Sequence, residues 1–103
     1  MKKMYVITIQ DCSSSMCITG FMYVCAVSSK KKAEKITAQI NEWLKHIAEV
    51  MSEPDHIRFD KELLRSRLKH NEPPDIGVKW NYEELSRFCY RDCVCVVDEV
   101  QGI

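Results

Sequence analysis

Between residues 33 and 51 the apolar side chains fall at Ala33, Ile36, Ile40, Trp43, Leu44, Ile47, Val50 and Met51. Spacings of three and four commit the segment to one long amphipathic helix over 30–51, about six turns at 3.6 residues each. Lys35, Gln39, Glu42, Lys45 and Glu49 fall between the apolar positions and make its wet face. A helix with one apolar stripe must cover something, and the chain offers strands for it to cover. Tyr5 to Gln10 is β-branched and aromatic, as is Gly20 to Val27. The polar stretch from Asp11 to Cys17 reads as the turn between them, giving a hairpin over 4–28. Both strands are apolar at nearly every position, so at least one is expected to be central or covered on both faces.

Beyond the long helix the start signals are local. Ser28 and Ser29 offer caps for the long helix itself. Asp60 can cap a second helix, with Phe59 and Leu64 as its hydrophobic staple. Asn81 can cap a third with Glu84 at N3, and Trp80 and Leu85 take the staple positions. Asn71-Glu72-Pro73-Pro74-Asp75 is a stiff, extended connector between these two, and together they form a two-helix insertion over 58–91. Cys93 to Val100 reads as a last strand, Cys-Val-Cys-Val-Val-Asp-Glu-Val. The order is β-β-α-α-α-β, which predicts an α+β domain. It would be a three-stranded antiparallel sheet, order β2-β1-β3, with one long and two short helices on one face.

The chain has 103 residues, a length that predicts one domain, 1–103, with one core. It carries 15 basic and 15 acidic residues, so its net charge is zero. Such a balance gives no electrostatic case for a nucleic-acid binder or an acidic mimic of one. No run approaches the roughly 18 apolar residues of a membrane span. The apolar run after Met1-Lys2-Lys3 is too short for a secretion signal, so the expected location is the cytoplasm and the six cysteines are expected as thiols.

Cys12 and Cys17 flank the hairpin tip, and an antiparallel last strand would begin at the same end of the sheet with Cys89 and Cys93. Four thiolates at Cys-x4-Cys and Cys-x3-Cys spacing could hold a tetrahedral zinc. The alternative is that Cys25, Cys89, Cys93 and Cys95 are small core residues. The reading adopted is no metal and no cofactor. No Cys-x-x-Cys pair is present, so redox catalysis is not expected. His46, His56 and His70 lie far apart and read as surface residues. Only three glycines occur, at 20, 77 and 102, and none pairs into a phosphate-cradling loop. The run Lys30-Lys31-Lys32 opens a helix against the dipole preference and reads as solvated surface.

No catalytic constellation emerges, and the expectation is a non-enzymatic protein. The insertion carries the residues suited to a contact surface: Arg65, Arg67, Trp80, Tyr82 and Arg87, since Trp, Tyr and Arg dominate interface anchors. Arg65 and Arg67 are two apart on a helix, so at most one of them is central to a contact. The proline connector would present side chains at little ordering cost.

Met1-Lys2-Lys3-Met4-Tyr5-Val6-Ile7, then Cys25-Ala26-Val27-Ser28-Ser29-Lys30-Lys31-Lys32-Ala33-Glu34-Lys35, resembles a common type of small phage and prophage protein. That type has a lysine-led strand, a hairpin into a strand ending Val-Ser-Ser, and a lysine-rich helix start with an Ala-Glu pair. It closes with a last strand, as Cys93 to Val100 would here, and the chain departs from it between about Ser52 and Tyr90. The resemblance implies a phage-encoded accessory protein, a class that includes inhibitors of bacterial defence such as anti-CRISPR proteins. Its expected partner is a protein or ribonucleoprotein complex of a bacterial host. Direct nucleic-acid binding and membrane association are not expected, and oligomeric state is left open.

Overall fold

The structure is a computed structural model that describes residues 3–11, 20–50, 61–86 and 93–101. Its elements are β1 (Lys3–Asp11), β2 (Gly20–Val27), α1 (Lys30–Val50), α2 (Lys61–His70), α3 (Tyr82–Leu85) and β3 (Cys93–Gln101). The strands form one antiparallel sheet in the order β2-β1-β3. Fold class, element order and strand order are those expected from sequence. The hairpin tip, the proposed caps at Asp60 and Phe59, and the stretch through Arg87 and Cys89 lie outside the described residues. None of the described helices is long and apolar enough to cross a membrane.

Ser29 starts α1. Its carbonyl accepts the first bond of the helix from the Ala33 amide at 3.0 Å, and its hydroxyl accepts from the Lys32 amide at 3.3 Å, so one of the free amides of the first turn is satisfied. The first turn holds no acidic residue, so Lys30, Lys31 and Lys32 stand against the dipole, as the sequence indicates. The stripe buries Ala33, Ile36, Ile40, Trp43, Leu44 and Ile47, each large one contributing about 1.5–3 kcal/mol through loss of water-exposed apolar area. Ile40 and Ile47 are fully buried, and truncation of either to alanine would cost about 2–5 kcal/mol.

The stripe covers one face of the sheet. Ile7 and Ile9 of β1, Met22 and Val24 of β2 and Cys95 of β3 meet it, and Leu64, Leu68 and Leu85 of α2 and α3 join the same core. Along β2 the alternation slips once. Ile7 pairs with Cys25 and Thr8 with Tyr23, leaving Val24 as the extra residue of a bulge. The bulge keeps Met22, Val24 and Cys25 on the core side while Phe21 and Tyr23 point away from it.

Candidate functional site

The insertion is tied to α1 through Asn71, the first residue after α2. Trp43 Nε1 donates to the Asn71 carbonyl at 2.8 Å, and the Asn71 Oδ1 meets His46 Nε2 at 2.9 Å. Asn71 Nδ2 donates to the Arg67 carbonyl at 3.0 Å, closing the end of α2. One side chain and one carbonyl thus join the middle of α1 to the last turn of α2, and the Asn71 amide supplies a donor to a carbonyl that a helix end leaves open.

The connector that follows is built against this joint. Pro73 is buried and Pro74 half-buried. Trp80 Nε1 donates to the Pro74 carbonyl at 3.0 Å, and the Trp80 ring lies 6.3 Å from that of Trp43, tilted by 32°. That separation is within the range of favourable aromatic pairs. Gly77 takes φ 81°, which glycine adopts without a Cβ penalty. Asn81 then caps α3, its Oδ1 accepting from the amides of Glu83 at 3.1 Å and Glu84 at 3.2 Å. The cap is the one the sequence indicates.

Of the five residues named as a contact surface, the four that the structure describes differ in exposure. Arg65 is exposed on α2 and lines a shallow hollow of ≈ 290 Å³ with Glu62, Ser66, Lys69 and His70. Arg67 is half-buried and turned inward, its guanidinium donating to the Val50 carbonyl at 3.1 Å. Trp80 is half-buried against the core, and so is Tyr82, whose hydroxyl is held above its usual pKa by burial and by the Glu72 carboxylate. Arg87 lies outside the described residues. Arg65 and Arg67 thus differ in exposure; which of them faces out depends on where α1 lies, and no local signal carries that.

The zinc alternative rests on Cys12, Cys17 and Cys89, all outside the described residues, and on Cys93, which is half-buried beside the core. Among the described residues no group of three or more His, Cys, Asp or Glu could hold a metal ion. Cys95 is buried, and burial pushes its thiol up to about 12, with the Thr37 hydroxyl partly opposing. Cys25 is also raised by burial, opposed by Lys32. Desolvated thiols of this kind are poor nucleophiles. His46 and His70 are exposed, and His70 Nδ1 meets the Ser66 carbonyl one turn back, at 2.8 Å.

The side of the sheet turned away from α1 is a second surface, and none of the described residues named above as a contact surface stands on it. Its rows run Phe21–Gln10–Val94, then Tyr23–Thr8–Val96, then Ala26–Val6–Asp98, and end with Met4 beside Val100. Phe21 is 70% exposed, Tyr23 58%, Val100 42% and Val94 38%. These four are the exposed large hydrophobics of the described chain, and all stand on this one face. The apolar residues at nearly every position of β1 and β2 are the signal for it.

The chain matches no protein family, no curated protein and no solved structure.

Proposed function

We propose that the chain is a small non-enzymatic binding protein that blocks a surface on a host protein. It would act in the cytoplasm of a bacterial cell, in the manner of the phage-encoded inhibitors of defence systems, CRISPR-Cas among them, that its first strands and helix start resemble. The contact surface is the outer side of the insertion, with Arg65 at its centre and Tyr82 at its margin.

The observation that carries this reading is the double tie of the connector. The Trp43–Asn71 and Trp80–Pro74 hydrogen bonds and the paired, tilted indoles fix residues 71–80 against α1. Side chains displayed on such a segment lose little freedom on binding, so more of each contact's energy appears as affinity. Arg65 stands exposed on the helix that this tie anchors, free to make the forked contacts for which arginine is enriched at interfaces. Arg67, held by Val50, is a packing residue in this reading.

The test uses a bacterium with an active CRISPR-Cas system against an infecting phage. Expression of the chain is expected to restore plaque formation, and Arg65→Glu is expected to remove that effect with circular dichroism and melting unchanged. Full interference in the presence of folded wild-type chain overturns the proposed target class. Equal protection by Arg65→Glu moves the contact off α2.

A further inference from the structure

The open side of the sheet is unlike the rest of the surface. Of its eleven outward positions, rows of β2, β1 and β3 taken together, only Asp98 carries a charge. Contiguous exposed apolar patches of this kind mark interaction sites in soluble proteins. The distribution of bulk is uneven. The aromatics Phe21 and Tyr23 stand on β2, the small β-branched Val94 and Val96 stand on β3, and Thr8 lies between them on the central strand with 8% exposure.

We infer that this face is closed in solution by the same face of a second copy, in a two-fold sandwich whose axis runs along β1. Rotation about that axis lays the aromatics of β2 over the valines of β3 in the other copy, so bulky side chains meet small ones in both halves of the contact. It sets Asp98 opposite Ala26 and away from the Asp98 of the second copy. A face that is large on one edge and small on the other is self-complementary under this rotation, as an isologous dimer requires. Side chains of this size fill the roughly 10 Å between aligned sheets.

The area is that of a small, weak interface. Strands about 4.8 Å apart and nine residues rising about 3.4 Å each define a face of roughly 14 × 30 Å. Two such faces remove about 850 Å² from water before side-chain relief is counted, close to the ~1,000 Å² at which specific interfaces begin. A small interface of this kind pairs in a concentration-dependent way, with Phe21 and Tyr23 as the anchors. The dimer leaves the α2 surface free, so it is independent of the contact proposed above.

Sedimentation velocity of the full chain from about 5 to 200 µM is expected to pass from one chain to two. Phe21→Glu and Val94→Lys are each expected to raise the dimer Kd by roughly 30-fold or more, as loss of an interface anchor does. Mixing these two variants is expected to restore pairing, because the introduced carboxylate of one chain meets the introduced ammonium of the other. Both positions are exposed, and circular dichroism checks that both variants fold; if Phe21→Glu lowers the melting temperature, Tyr23→Glu replaces it as the single-chain test. A wild-type chain that stays monomeric to 200 µM overturns the inference. So do single variants that pair as well as wild type, or a mixture that recovers nothing, since a dimer joined edge to edge through β2 would not bring positions 21 and 94 together.

Discussion

Asn41 on α1 pairs with the backbone of Cys95 on β3 through both halves of its amide. Nδ2 donates to the Cys95 carbonyl at 3.0 Å, and Oδ1 accepts from the Cys95 amide at 2.8 Å. In an antiparallel ladder the two polar groups of one residue point to the same side. These two therefore face away from β1, toward the free edge of the sheet. The long helix supplies to β3 the pairing that a fourth strand would otherwise supply, and it blunts an edge that would be a template for another chain.

Asn41→Ala is expected to lower stability by about 2 kcal/mol, because it leaves a half-buried amide and carbonyl without partners. Asn41→Asp is expected to cost more near neutral pH, since it keeps the acceptor, loses the donor and sets a carboxylate against a carbonyl. Acidification below about pH 4 should recover part of that difference as the carboxyl gains a proton to donate. Urea midpoints at constant slope measure both. Equal stability of wild type and Asn41→Ala would remove the edge-pairing role.

The paired indoles of Trp43 and Trp80 lead to a second expectation. Trp80→Ala is expected to destabilise by about 3 kcal/mol, from the lost packing against Trp43 and the stranded Pro74 carbonyl. Trp80→Phe keeps an aromatic ring there and should cost about 1 kcal/mol, the share of the hydrogen bond. Thermal melts of both variants check the ratio. A loss of the proposed host-protein contact in Trp80→Ala would report on folding, and Arg65→Glu is the variant that reports on the proposed contact surface.

These residues also mark how far the sequence could be read. The α1 stripe is legible because six of its positions repeat at helical spacing and all six are buried. The Ser29 and Asn81 caps are legible because capping depends on neighbours within three residues. Asn41 is not, since a polar residue between stripe positions looks like the wet face. Its meaning depends on a strand 54 residues away. Asn71 reads as a turn residue before two prolines for the same reason, its tie to Trp43 spanning 28 residues. The exposed side of the sheet was half legible. Two-sided apolar strands require two covers, and periodicity predicts one helix layer without saying what covers the other side.

Thr8 lies at the middle of that second side, and its Oγ1 is buried with no hydrogen-bond partner among the described residues. A hydroxyl taken from water without compensation costs free energy, and valine has nearly its shape without the polar atom. Thr8→Val is expected to stabilise by about 1 kcal/mol, aided by the strand preference of β-branched residues. A measured loss of stability would mean that the hydroxyl has a partner in the folded chain.

Cys95 contributes to the loss of stability at alkaline pH. Its thiol rises from the usual 9.0 to about 12, burial being the main cause. Below pH 9 the thiol is protonated in both the folded and unfolded chain, and its contribution to stability is fully present. Above pH 9 the unfolded chain releases the proton while the folded chain retains it, so stability falls as pH rises toward 12. At about 1.4 kcal/mol per unit, the loss at pH 10.5 should be about 2 kcal/mol. Cys95→Ala is less stable at pH 7, from lost packing, yet it lacks this slope. Lysine and tyrosine titrations occur in both chains and cancel in the difference. Urea denaturation at pH 7, 9 and 10.5 is expected to show the gap between wild type and Cys95→Ala narrowing only above pH 9. A gap that stays constant through pH 10.5 would mean that the folded thiol ionises as readily as the unfolded one, and that Cys95 is reachable by water.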